Sequence, residues 1–392
     1  MNRQTIMEVD ANAFRDNVSL IKEIVGENIE IMPVIKANGY GTYVNKRLDL
    51  IKDFSVVATA IVDEAIKLRS IGFSNEIFVL NEPAVEDIEN ILEYNVSVGV
   101  CDINFVEELA RMAMNLNKKA IIHLEIETGM GRTGIFVKDL DYFLNRLDEI
   151  NKTYNNFIVV EGIYTHFSVA DSKEEENINY TNNQIKIIEE ANRIIKERIN
   201  TIKYIHCSAS SGILNYINRE EENKNEDRKI FNLVRPGIIL YGYEPYENAF
   251  KYTLNNEKRV YNFKPISKLK TKILFLKEVD ENQSISYGRK FISDKKMKIA
   301  TIGIGYADGY RRSFSNKGKV LINGKVCNVI GTVCMDSCMV DVTELGDNVH
   351  VGDVAYIWEN ENIKLEDLAN IDNTINYEII SGISDRVRRE FI

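Results

Sequence analysis

Val34-Ile35-Lys36-Ala37-Asn38-Gly39-Tyr40-Gly41 closes an apolar run that begins at Ile29. The run Ile29 to Ile35 predicts a short buried strand, and Lys36 stands at its C-terminal end, where glycines and a tyrosine take over. Desolvation disfavours an ammonium, so a lysine at the mouth of an apolar core can supply the neutral amine that condenses with an aldehyde. The alternative is a lysine whose stem lies on apolar surface while its head reaches water.

The same change from apolar run to special residue recurs along the chain. Eight runs are visible: Ile29 to Ile35, Phe54 to Ala60, Ile77 to Leu80, Val96 to Val100, Ala120 to Ile126, Phe157 to Tyr164, Ile202 to Ile205, and Val234 to Tyr241. Amphipathic segments separate them, clearest in Val62 to Ser70, Asp102 to Asn115 and Asn182 to Glu197. Eight strand-helix units predict an α/β fold, a closed (β/α)8 TIM barrel over residues 11–256; a doubly wound open sheet shares the alternation. After about Asn256 helical periodicity disappears. Short β-rich runs follow (Ile266 to Lys277, Met297 to Ile304, Lys319 to Ile322, Cys327 to Thr332, Cys338 to Val342, Val354 to Ile357), divided by turns such as Asn323-Gly324, and predict a mostly-β domain over 257–392.

Composition narrows the function. A length of 392 residues suits a barrel plus a smaller unit, and 44% hydrophobic with 28% charged residues is the balance of a globular protein. A net charge of −10 with no long basic run argues against nucleic acid as a partner. No stretch has the length of a signal or membrane segment, so a cytoplasmic protein without a membrane partner is expected. Five scattered cysteines do not make a disulfide framework, and Cys334 and Cys338 lack zinc-ligand spacing, so no metal is expected. The polar block from Asn218 to Lys229 reads as a solvated loop.

In a barrel, chemistry gathers at the C-terminal ends of the strands. The fifth run leads into Glu125-Ile126-Glu127-Thr128-Gly129-Met130-Gly131-Arg132-Thr133-Gly134, where Arg132 offers a planar fork to a carboxylate or phenolate; a solvent-facing turn is the plain alternative. The sixth ends at Tyr164-Thr165-His166, a histidine that can equally be a satisfied core residue. The seventh gives His206-Cys207-Ser208-Ala209-Ser210-Ser211-Gly212, small residues ahead of a helix that suit a phosphate. The eighth carries Arg235-Pro236-Gly237-Ile238, and a buried arginine needs an acceptor because it cannot shed its charge.

These stretches, in this order, resemble the alanine racemase family, pyridoxal-phosphate proteins of fold type III. The matching segments are VIKANGYG at Lys36, GMGRTG at Arg132, THFSVAD at His166, the serine at 210, NLVRPGIILYG at Arg235, SYG at Tyr287, IGYADGY at Tyr306 and CMD at Met335. The resemblance implies pyridoxal 5'-phosphate held by Lys36, with its phosphate on Tyr40, Ser210, Gly237 and Ile238. It implies Arg132 on the ring oxygen and substrate, His166 against the pyridine ring, and Arg235 on the ring nitrogen. Tyr306 then stands at the entrance, the Met335 N–H meets the substrate carboxylate, and Asp336 supports it. The implied reaction interconverts L- and D-alanine, a peptidoglycan precursor, using Lys36 for the D-enantiomer and Tyr287 for the L-enantiomer. A tyrosine hydroxyl ordinarily ionises only near pH ~10, so such a base needs cationic neighbours. Residues 1–10 are implied to join the second domain. A homodimer is implied too, the second domain of one subunit lending its tyrosine to the other.

Three positions depart from the pattern. Glu125 stands where many members carry a carbamylated lysine, and is expected to supply that negative charge to Arg132 directly. Ala209 replaces an asparagine, and Asp385 stands where some members place a phosphate-contacting tyrosine. An aspartate there would repel a phosphate, so Asp385 is expected to point elsewhere and leave a roomier pocket. A racemase for serine or larger amino acids, a fold-type III decarboxylase and a non-catalytic cofactor carrier remain the alternatives.

Overall fold

The computed structural model describes residues 4–217, 231–254 and 257–392. The polar block and the expected domain limit at Asn256 lie outside the described residues. Two compact units emerge: one comprises Arg15–Gly39 and Val44–Lys264, the other Met1–Phe14, Tyr40–Tyr43 and Pro265–Ile392.

The first strand, β1 (Ile6–Val9), belongs to the second of these units. The first unit is built on β2 (Glu30–Ile31), β3 (Val56–Thr59), β4 (Glu76–Val79), β5 (Ser97–Val100), β6 (Ala120–Glu125), β7 (Ile158–Tyr164), β8 (Tyr204–His206) and β9 (Leu233–Val234). Strands β3 to β8 pair in chain order as a parallel sheet, and β2 pairs with β9, also parallel. The remaining seams are closed by backbone bonds. Val34 bridges Ala58, and Asn232 N–H and Arg235 N–H donate to the carbonyls of Ile205 (3.2 Å) and Ser208 (2.9 Å). Eight parallel strands therefore form a closed (β/α)8 barrel, which excludes the open sheet. All four residues of Val-Val-Ala-Thr in β3 are buried, as expected of a strand covered on both faces.

The eighth run is shorter as a strand than the sequence predicts. The regular strand ends at Val234: the Pro236 carbonyl still accepts from Val34 N–H (2.9 Å), but Pro236 has no N–H to give the ladder, and Ile238–Tyr241 forms a 3-10 turn instead. Helix Val62–Ser70 appears as expected, and Asp102 caps Ile103–Leu116 by accepting from Asn104 N–H at 2.9 Å. A hairpin, β10 (Lys251–Leu254) with β11 (Glu257–Val260), ends this unit's strands.

The second unit contains β12 (Ser267–Val279), β13 (Ser284–Ile285), β14 (Phe291–Ile292), β15 (Met297–Ile302), β16 (Lys319–Ile322), β17 (Lys325–Ile330), β18 (Cys338–Asp341), β19 (Val354–Trp358) and β20 (Arg388–Phe391). The large sheet runs β15-β18-β17-β16-β19-β12-β1-β20, and a further β12–β15 pairing closes six of these strands into a ring. Antiparallel β1 on β12 and parallel β20 on β1 extend it. Asn323 and Gly324 have φ of 47° and 76° between the paired residues Ile322 and Lys325, the two-residue turn that joins β16 to β17. Two helices that the sequence pattern missed, Leu365–Asp372 and Asn376–Ser381, lie in this unit; they are too short for their periodicity to stand out.

No helix among the described residues is long and apolar enough to cross a membrane. All five cysteines are free, and no cluster of metal-ligating side chains occurs among the described residues.

Candidate active site

Lys36 leaves the barrel wall into an unusual turn. Ala37, Asn38, Gly39 and Tyr40 all have φ between 52° and 60°, one turn of left-handed helix closed by Gly39 N–H to Ile35 O at 3.0 Å. Left-handed backbone costs an ordinary residue roughly 1–2 kcal/mol, so the turn needs outside support. Glu64 supplies part of it, accepting from Ala37 N–H (2.6 Å) and Ala60 N–H (2.9 Å). Burial lowers the pKa of Lys36, Arg132 and then Arg235 reinforce the shift, and Glu64 opposes it. The amine is thus biased toward its neutral, nucleophilic form.

Arg235 is buried, and its terminal nitrogens are fully engaged. Nη1 donates to His206 Nδ1 (2.6 Å) and His206 O (2.8 Å); Nη2 donates to Thr165 O (2.7 Å), Cys207 O (3.2 Å) and His166 Nδ1 (3.3 Å). Nε–H alone has no protein acceptor among the described residues, and a buried guanidinium cannot lose its charge to compensate. Because arginine only donates, His206 Nδ1 must accept. His206 Nε2 then carries the hydrogen and donates to His123 Nδ1 at 2.9 Å, which puts the remaining hydrogen on His123 Nε2. That N–H has no acceptor; Glu76 Oε1, at 3.9 Å, is beyond hydrogen-bond reach. Burial, then Arg235, holds His206 well below its ordinary pKa and His123 down to about 3, so both rings are neutral. Gly162 makes room for the column: a Cβ there would lie 2.4 Å from the His123 ring.

His166 is likewise pushed down to about 3 by burial and by Arg235, Arg132 and Lys36, and stays neutral beside three cations. Glu125 is buried at the end of β6. It accepts from Arg132 Nη2 (3.4 Å), Thr133 Oγ1 (2.9 Å) and Tyr164 O–H (3.1 Å), while half of the Arg132 side chain remains exposed. The carboxylate therefore faces Arg132, and its charge also acts on the buried Arg235. Ser210 Oγ accepts from Gly237 N–H (3.0 Å) and more weakly from Ile239 N–H (3.5 Å), which leaves its own hydrogen to donate. The Gly237 N–H, expected to meet a phosphate, is thus already engaged by Ser210.

Among the described residues, the Arg235 Nε–H and the Ser210 hydroxyl hydrogen meet no protein acceptor, and beside them stands a lysine of lowered pKa. They fit a small aromatic aldehyde with a basic ring nitrogen and an anionic arm.

The other candidates gather in the second unit. Tyr40 is buried, which raises its pKa, and its ring lies 6.1 Å from that of Tyr377. Tyr306 N–H donates to Cys334 O and Ala307 N–H to Met335 O, both at 3.0 Å. Only glycine fits at 305, since a Cβ would stand 2.3 Å from Cys334 O. Asp336 accepts from Arg386 Nη2 at 2.5 Å. The Tyr287 carbonyl accepts from Thr332 Oγ1 at 2.8 Å, but the Tyr287 side chain is 69% exposed. The candidates therefore fall into two groups: Lys36, Arg132, His166, Ser210, Arg235, Gly237 and Ile238 in the barrel unit, and Tyr40, Tyr287, Tyr306, Met335 and Asp336 in the other. Glu64, His123 and His206 escaped the sequence reading; a histidine beside the seventh strand end was the available signal for the last.

A closed parallel barrel with a strand-end lysine among cations, joined to an antiparallel β unit, defines the class. Residues 9–245 match the alanine racemase N-terminal domain and residues 266–391 the alanine racemase C-terminal domain. The chain belongs to the alanine racemase family. It is 36% identical to alanine racemase 2 of Caldanaerobacter subterraneus subsp. tengcongensis, covering 100% of this chain and 95% of that protein. The alanine racemase of Clostridium perfringens is 38% identical, covering 97% and 94%. Among solved structures, alanine racemase of Clostridium difficile 630 superposes with a TM-score of 0.85 at 31% identity, covering 100% and 96%. That of Bacillus anthracis with bound L-Ala-P gives 0.85 at 32%, with the same coverage.

Proposed function

We propose that this protein is a pyridoxal-phosphate-dependent racemase that interconverts L- and D-alanine with two bases, Lys36 and Tyr287, and works as a homodimer in the cytoplasm. The observation that carries the reading is the barrel-end arrangement: a lysine of lowered pKa together with a buried arginine whose Nε–H alone lacks an acceptor. Lys36 would anchor the cofactor, Arg235 would donate Nε–H to the ring nitrogen, and Ser210, Tyr40 and the Ile238 N–H would hold the phosphate.

When bound, the cofactor withdraws electrons from the substrate and makes its α-hydrogen acidic. Inversion needs a proton taken from one face and another delivered to the opposite face. The Lys36 amine would take the α-proton of D-alanine, a role that its lowered pKa favours. Tyr287 serves the other face. Arg235, permanently charged and donating, would hold the ring nitrogen of the cofactor by its Nε–H and would offer it no proton, which would moderate the cofactor's electron withdrawal. Arg132, turned by Glu125, meets the substrate carboxylate with the Met335 N–H. Exposed in a single chain, Tyr287 needs a covering surface to act as a base, which a second subunit would provide.

The test is exchange of the α-hydrogen in deuterated water with added pyridoxal phosphate. The protein exchanges both alanine enantiomers faster than serine, and in single turnover Tyr287→Phe slows exchange from L-alanine by about a thousandfold while sparing D-alanine. No exchange in the wild type sinks the reading; equal slowing of both enantiomers sinks the two-base assignment.

A further inference from the structure

The stretch Tyr40–Tyr43 is held by contacts that the proposed chemistry does not use. Its backbone is strained, with φ of 52° at Tyr40, 76° at Gly41 and 66° at Tyr43. Non-glycine residues stay in this region only where their surroundings over-determine it. The surroundings here are the C-terminal segment. Tyr43 O–H donates to Asp385 Oδ1 in a short contact, and the Arg389 guanidinium lies over the Tyr43 ring, 4.5 Å from its centroid. Arg389 Nε donates to Gly41 O at 2.7 Å, and its other nitrogens donate to the carbonyls of Ile383 (2.6 Å), Ser384 (2.6 Å) and Val387 (2.5 Å). One guanidinium thus staples Gly41 to the loop that carries Asp385. Gly41 has no room for a side chain, since a Cβ would lie 2.4 Å from Ile380 O.

We propose that Tyr43, Asp385 and Arg389 form a clamp that fixes the strained Tyr40–Tyr43 stretch so that Tyr40 is set for the cofactor phosphate, which makes Tyr43 and Asp385 positioning residues for cofactor retention. This rests on pyridoxal phosphate being the cofactor. A free carboxylate beside a phosphate would repel it. Asp385 instead spends its charge on the Tyr43 hydroxyl with Arg389 close by, so the expectation that it points elsewhere acquires a definite partner. Burial, then the hydrogen bond to Asp385, pushes the Tyr43 hydroxyl up to about 12, so it remains a donor at neutral pH.

The experiment titrates protein stripped of cofactor with pyridoxal phosphate. Tyr43→Phe and Asp385→Ala each raise Kd about fivefold, the lower end for a hydrogen bond to a charged group because the pair is solvent-accessible. The double variant is no weaker than either single, since both remove the same contact. Asp385→Asn, which keeps a carbonyl oxygen for the phenol, recovers part of the affinity lost in Asp385→Ala; a general loosening of the fold would show no such rescue. Singles within about 1.5-fold of wild type, or a double weakened by the product of the singles, about 25-fold, overturn the clamp. Absence of any binding by the wild type overturns the cofactor reading and the clamp's purpose with it, whereas wild-type binding that the variants leave unchanged overturns the clamp alone.

Discussion

The barrel end and the second unit differ in how deeply their candidate residues are buried. Around Lys36 the side chains are buried and nearly every polar hydrogen is spoken for: Glu125, His206, Ser210 and Arg235 are all under 5% exposed. In the second unit the residues nearest in kind are open, with Tyr287 69%, Met335 52% and Tyr306 42% exposed. Preorganised burial tunes a lysine; a phenol in water cannot be tuned that way. The contrast teaches that the barrel candidates are set by burial within their own unit, whereas the exposed candidates of the second unit are not.

The strongest way to break that contrast is to mix two dead proteins. Lys36→Ala and Tyr287→Phe should each be nearly inactive alone, yet after dissociation and reassociation together they should recover about a quarter of wild-type turnover, because half of the dimers gain one intact site. No recovery means that each chain completes its own site.

The second test probes how closed the barrel half is. Folded-state pKa values of His206 and His123 lie below the ordinary value, so below pH 6.5 the unfolded chain binds more protons than the folded one. Their contribution to stability is therefore present above pH 6.5 and lost as pH falls below it, for His123 toward about 3. Each of them, and His166, which is likewise pushed down to about 3, should cost about 1.4 kcal/mol per pH unit. Denaturant titrations between pH 6.5 and 5, above the carboxylate range, should show this slope, and His123→Gln should reduce it by one histidine's share. An unchanged slope means that the rings are not locked neutral.

The smallest effect concerns Glu125. Glu125→Gln keeps the shape but removes the charge facing Arg132, and should raise the KM for alanine about tenfold with a smaller change in kcat, the pair being half exposed. Adding bicarbonate should change nothing in the wild type, as no lysine there awaits carbamylation. Bicarbonate-dependent activity would refute direct charge supply by Glu125.

Much of the fold was legible because one simple signal repeats. Six of the eight apolar runs end within a residue of a strand end, so the residues that follow such runs, Arg132 and His166 among them with Lys36 and Arg235, are expected at a barrel mouth. The eighth run misled because its apolar character continues past Pro236, where the missing N–H ends the ladder and the chain turns. The His206–His123 bond joins residues 83 apart and the Tyr43–Asp385 bond residues 342 apart. No local pattern encodes such pairs; they follow from which faces meet after folding. Nor does the composition of Ala37-Asn38-Gly39-Tyr40 announce a left-handed turn, as Ala37 and Tyr40 ordinarily avoid one.

The column from Arg235 through His206 to His123 also makes the interior report on itself. Where the proton sits on His123 is dictated by a guanidinium two links away, so the ring-nitrogen resonances of that histidine are a remote gauge of whether Arg235 is in place. Magnetic resonance of one silent, solvent-shielded ring can thereby follow events at the barrel mouth without a label on the ligand or on any residue that touches it.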